Sequence, residues 1–142
     1  MWLKAFTIGM FAMALFACRP SSAGTKAPTI YSRATVYFVP WEIVTGVGLA
    51  PNAVRDAARV THSVHDDGEM QKLLAVLDLP ALHAPPTNPG IQGDFRLMID
   101  LVRADTGATE SFAADRGKLV RIADGASRPI DDSFRKYFSS IK

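Results

Sequence analysis

The chain has 142 residues, 48% of them hydrophobic, one cysteine and a formal charge of +2. With an apolar leader set aside, about 120 residues remain, enough for one core and too few for two independent domains. The lone cysteine excludes an intramolecular disulfide and a Cys-based zinc cluster. The near balance of 16 basic and 14 acidic side chains, with no basic tract, argues against nucleic acid as a partner.

Residues 1–17, MWLKAFTIGMFAMALFA, place one positive charge at Lys4 ahead of an apolar stretch broken only by Thr7 and Gly9. That is the form of a bacterial signal peptide: too short to span a bilayer, and without the polar stripe of a folded surface helix. Leu15-Phe16-Ala17-Cys18 then resembles a lipobox, the bacterial lipoprotein signal in which the cysteine is lipidated and becomes the new N-terminus. Ser21-x-Ala23 offers a competing site for ordinary signal cleavage, which would discard Cys18. With lipidation, Arg19 follows the modified residue where inner-membrane retention prefers Asp, so the resemblance implies the outer membrane. Residues 19–29, RPSSAGTKAPT, lack apolar periodicity and read as a flexible tether reaching at most about 36 Å. The organisation expected is a signal peptide over 1–17, a lipidated cysteine and tether over 18–30, and a single α+β domain over 31–142.

Residues 35–39, TVYFV, predict a first strand ended by Pro40. Residues 41–50, with Gly46 and Gly48, read as a loop, and Pro51 opens a short helix to residue 58. Residues 60–64 suit a short strand. Asp66 followed by Glu69 resembles a capping box, and Met70, Leu73, Leu74 and Leu77 recur on one helical face, predicting a helix over 67–78. Pro80 stops it, and residues 81–93 form a long Pro-rich loop. Phe95, Leu97, Ile99 and Leu101 alternate with Arg96, Met98, Asp100 and Val102, the period of a strand with one face in the core. Strands over 109–114 and 118–122 complete a three-stranded meander, closed at Asp124-Gly125-Ala126-Ser127. A last helix over 131–140 carries Phe134, Tyr137, Phe138 and Ile141. Grouped strands without repeated strand-helix-strand units predict an α+β fold, an antiparallel sheet with about three helices packed on one face.

Few residues suggest chemistry. His62-x-x-His65-Asp66 has metal-like residue types, but on a strand the two imidazoles point to opposite faces, so no metal is expected. Asp66-Asp67 and Asp131-Asp132 could pair for acid and base work, yet both stand at helix starts, where aspartate caps free amides. No G-x-S-x-G element or P-loop occurs, and Gly46-Val47-Gly48 lacks both a third glycine and a strand running directly into it. No catalytic residue and no cofactor is therefore expected. Tyr37, Phe38 and Trp41 read first as core or loop anchors and second as an aromatic contact surface beside a glycine loop, and Arg96, Arg103, Arg116, Lys118 and Arg121 are expected toward solvent on or beside the meander. Candidate partner-binding residues are Trp41, His83, Asn88, Arg96 and Arg116, on or beside loops long enough to enter a partner's cleft.

The lipobox-like Leu15 to Cys18, the short tether and one compact α+β domain together resemble the small periplasmic lipoproteins that act as immunity or inhibitor proteins for secreted antibacterial effectors. The resemblance is architectural and implies a lipid-anchored periplasmic protein whose partner is an effector toxin, bound by protein-protein contact without catalysis. An accessory or structural lipoprotein of an envelope secretion complex, and a small cell-envelope hydrolase, are the alternatives.

Overall fold

The computed structural model describes residues 30–85, 87 and 90–142. The signal peptide, Cys18, the tether and Asn88 lie outside the described residues. The elements in chain order are β1 (Tyr31–Phe38), α1 (Pro51–Ala57), β2 (Val60–Val64), α2 (Asp67–Leu77), β3 (Leu97–Arg103), β4 (Thr109–Ala114), β5 (Lys118–Arg121), β6 (Ser127–Pro129) and α3 (Asp132–Ser139). A 3-10 turn, Leu79–Ala81, follows α2. The fold is α+β, as the grouped strands predict: all six strands form one antiparallel sheet in the order β2-β1-β3-β4-β5-β6.

Strand alternation divides the apolar residues between the two faces of the sheet. Leu97, Ile99 and Leu101 of β3 join Ala34, Val36 and Phe38 of β1 and Phe112 of β4 in the larger cluster. α2 closes it with Met70, Leu73 and Leu77, and α3 with Phe134 and Phe138. Met98, Ala113 and Val120 point the other way and meet Val39, Phe95 and Val54 of α1 in a second cluster. Two helices therefore share a face, whereas α1 covers the opposite one. α1 has a single buried residue, Val54, and is also held by charge: Arg55 forms a bidentate pair with Asp100 of β3, nearest approach 2.8 Å.

Local chemistry sets the helix boundaries. Asp66 caps α2 by accepting from the Glu69 N–H at 2.9 Å, and Asp131 caps α3 by accepting from the Phe134 N–H at 2.8 Å, so these aspartates do the capping expected of them. Asp78 ends α2 in the left-handed region, φ +43°. Beyond it, the guanidinium of Arg128 donates to the Val76 and Leu77 carbonyls at 2.7 and 2.8 Å, satisfying acceptors left free at the end of α2 and tying that end to β6.

Three boundaries differ from expectation. β1 begins at Tyr31 because Tyr31 is buried, its hydroxyl donating to Glu110 at 2.9 Å. Ser127, the last residue of the segment read as a closing turn, opens a further strand, β6, whose backbone pairs with β5. The long loop after α2 is fastened as well, since His83 and Ser127 exchange backbone hydrogen bonds at 2.9 and 3.0 Å. No helix among the described residues is long and apolar enough to cross a membrane.

Candidate partner-binding site

The segment 40–50 leaves the end of β1 and is fastened at three points. At its start, the Trp41 ring packs edge-on against Phe38, centroids 5.3 Å apart. A closed circuit of side-chain to backbone bonds then surrounds it. The Trp41 indole N–H donates to the Arg135 carbonyl at 3.3 Å, Arg135 donates to the Arg116 carbonyl at 2.7 Å, and Arg116 donates to the Trp41 carbonyl. The circuit joins this loop, the β4–β5 turn and α3. At its end, the Leu49 N–H donates to Asp94 at 3.0 Å and the Leu49 carbonyl accepts from the Phe95 N–H at 3.0 Å.

The middle is held from beneath by Arg96, which the alternation along β3 places toward solvent. The structure corrects this: Arg96 is only 2% exposed. Its backbone is laddered between Val39 and Ala114, and its side chain lies beneath the loop 40–50. There its Nη2 pairs with Asp94 and donates to the Thr45 hydroxyl at 3.2 Å. Nε and Nη1 have no partner. A buried donor left unpaired costs about 1–3 kcal/mol, so Arg96 is an expensive anchor with two thirds of its nitrogens unused. Burial on its own would raise the Asp94 carboxyl, but the Leu49 N–H and the Arg96 guanidinium outweigh it and hold the group below the usual carboxylate range.

Between these fastenings the loop presents Val44, 87% exposed, and Val47, 81% exposed. Gly46 lies between them, and a side chain there would meet nothing within 4 Å. Two freely exposed valines on a tied-down loop form a small apolar point suited to insertion into a cleft.

Of the sequence candidates, Trp41 and Arg116 come together in the circuit, and Arg96 supports the same loop from inside. His83 is exposed and stands apart, beside β6. Asn88 and Cys18 lie outside the described residues. Sequence reasoning passed over Arg135, Asp94, Thr45, Val44 and Val47. Of these, the two valines alone carried a signal, as apolar residues flanking a glycine in a segment read as loop.

The histidine cluster separates: His65 is exposed, while His62 lies 2.6 Å from Glu69. This pair lines an open cleft of about 500 Å³ with Lys72, Tyr137 and Ser140. Burial and the nearby Glu69 charge raise the Tyr137 hydroxyl. Among the described residues no group of three or more His, Cys, Asp or Glu is placed to hold a metal ion. No protein-family model matches the chain, and neither a curated protein nor a solved structure shows significant similarity to it.

Proposed function

We propose that the protein is an envelope-anchored binding protein of the immunity or inhibitor type, which neutralises a secreted antibacterial effector by surface contact through the loop 40–50. Lipidated at Cys18, it stands in the periplasm on the outer membrane and needs no cofactor. The supporting observation is the pair of exposed valines on a loop already fastened by the Trp41–Arg116–Arg135 circuit and by Arg96. A loop ordered before it meets a partner loses little conformational entropy on binding, so more of the burial of Val44 and Val47 is available as affinity.

The test is copurification of the full chain with the effector encoded by an adjoining gene, followed by the double variant Val44→Asp, Val47→Asp. Both sites are on the surface, so folding stability should stay within about 0.5 kcal/mol while affinity falls at least about 30-fold, as for an interface hot spot. Unchanged affinity would reject the loop as the contact. Copurification with a multiprotein membrane complex would favour the accessory-lipoprotein reading instead. The His62–Glu69 pair, beside the Tyr137 and Ser140 hydroxyls, is what a hydrolase reading would use. Cell-wall hydrolysis lost on His62→Ala, with folding retained, would establish that reading.

A further inference from the structure

We propose that the protein carries a second binding site, for a small amphiphile with one carboxylate head and an aliphatic tail, in a cleft between the end of α2 and the sheet. The site lies at the end of the sheet opposite the loop 40–50, and it does not rest on the binding reading above.

Antiparallel pairing gives the sheet two ends. The loop 40–50 follows Phe38, which stands opposite Leu97 at one of them. At the other, Tyr31 stands opposite Arg103, and the Ala104 N–H donates to the Ile30 carbonyl at 2.9 Å. Four polar side chains gather there on the face that α2 covers. Tyr31 belongs to the larger apolar cluster, Arg103 and Glu110 lie two residues along from its Leu101 and Phe112, and Arg121 stands opposite Phe112. The half-buried Leu74 and Leu79, with Pro80 and the exposed Ile30, add an apolar wall. Asp78 turns the chain into that wall, and Arg128 ties the end of α2 below it to β6. The cleft so enclosed is about 480 Å³, within the range of small-molecule sites, about 300–1,000 Å³. It matches the volume of about 16 water molecules, room for one short chain and not for a two-chain lipid.

The lining selects an anion. Two guanidiniums face one carboxylate, which leaves one positive charge. That carboxylate is already engaged: one Glu110 oxygen accepts from the Tyr31 hydroxyl at 2.9 Å and the other from Arg103 Nη1 at 3.3 Å. Burial and the Glu110 carboxylate push the Tyr31 hydroxyl up to about 12, so it stays protonated and brings no charge of its own. The Nε and Nη2 edges of the two arginines are held by Asp105 and Asp124, both exposed and neither part of the lining. Arg121 Nη1 has no partner among the described residues. A carboxylate can accept a charge-assisted bond there while an aliphatic tail lies along Leu74, Leu79 and Ile30.

The experiment titrates the full chain with decanoate by calorimetry, with acetate and decyltrimethylammonium as controls. Decanoate should bind one to one and at least about tenfold more tightly than either, because acetate lacks the tail and decyltrimethylammonium reverses the charge. Arg121→Gln and Ile30→Asp, both at positions open to solvent, should each weaken decanoate at least about fivefold without lowering the thermal midpoint by more than a few degrees. The double variant Val44→Asp, Val47→Asp should bind decanoate as wild type does. No saturable binding, equal binding of either control, or unchanged affinity in either single variant would overturn the inference. A dimer of the chain that decanoate dissociates would also overturn it, by giving the cleft to a second copy.

Discussion

Arg96 shows how a buried charge can serve position better than stability. One of its nitrogens pairs with Asp94 and Thr45, and two donate to nothing. Removing one partner of a buried pair is costly when it strands the other charge in the interior, but Asp94 is 41% exposed and can be rehydrated, so an apolar side chain of similar length in place of Arg96 leaves no buried charge behind. Arg96→Met should therefore shift the urea-unfolding free energy by less than about 1 kcal/mol, or raise it. The same change removes the tie to Thr45, so the amide signals of residues 43–48 should broaden or shift while the core resonances stay in place. A loss above about 3 kcal/mol would mean that the Asp94 pair carries more than its half-exposed carboxylate suggests. The burial was hidden from the alternation because a period of two assigns residues to faces without saying whether the second face is covered. Met98, Ala113 and Val120, apolar at positions on that second face, were the signal that it is.

At the scale of elements, the loop 40–50 depends on a carboxylate and on a helix far along the chain. The Asp94 carboxyl is held low in the folded state, so its contribution is complete above the ordinary carboxylate range and is withdrawn as pH falls through and below that range. Acidification from pH 6 to pH 3 should move the Leu49 amide proton, which Asp94 accepts, ahead of any global unfolding. Asp131→Ala removes the cap of α3 and should cost about 1 kcal/mol by thermal or chemical unfolding. Because α3 carries Arg135, that variant should also loosen the loop 40–50, seen as a shift of the Trp41 indole N–H resonance. α2, α3 and the strands of the meander were legible because each has a period or a cap of its own. β6 was not, since its three residues include a proline and hold no pattern. Nor was the face taken by α1: seven residues with one buried valine do not say which side of a sheet they cover.

For the whole molecule, one sheet serves two apolar clusters, and the strands contribute alternate residues to each. Neither cluster can lose its packing without exposing the back of the other. Phe112→Ala on the larger side should cost about 3–5 kcal/mol, and Met98→Ala on the smaller side about 2–5 kcal/mol. Both should lower the midpoint of one shared transition, seen at the same denaturant concentration by backbone circular dichroism and by Trp41 fluorescence. Two separated transitions would show instead that the clusters unfold independently. The outer strands of the sheet are short, five residues in β2 and three in β6; His83 already pairs with Ser127 of β6, and Pro129 removes one donor there, which discourages pairing with a second sheet.

The three bonds that link Trp41, Arg116 and Arg135 also bear on how this protein can change over generations. Trp41 and Arg135 are 94 positions apart in the chain, yet the Trp41 indole secures the Arg135 backbone, and Arg135 in turn secures that of Arg116. Every acceptor in the circuit is a backbone carbonyl that any residue supplies, so a lineage that altered this loop would lose one bond for each of the three donor side chains it replaced. Substitutions at 41, 116 and 135 should therefore be rarer than those at 44 and 47, which take no part in the circuit.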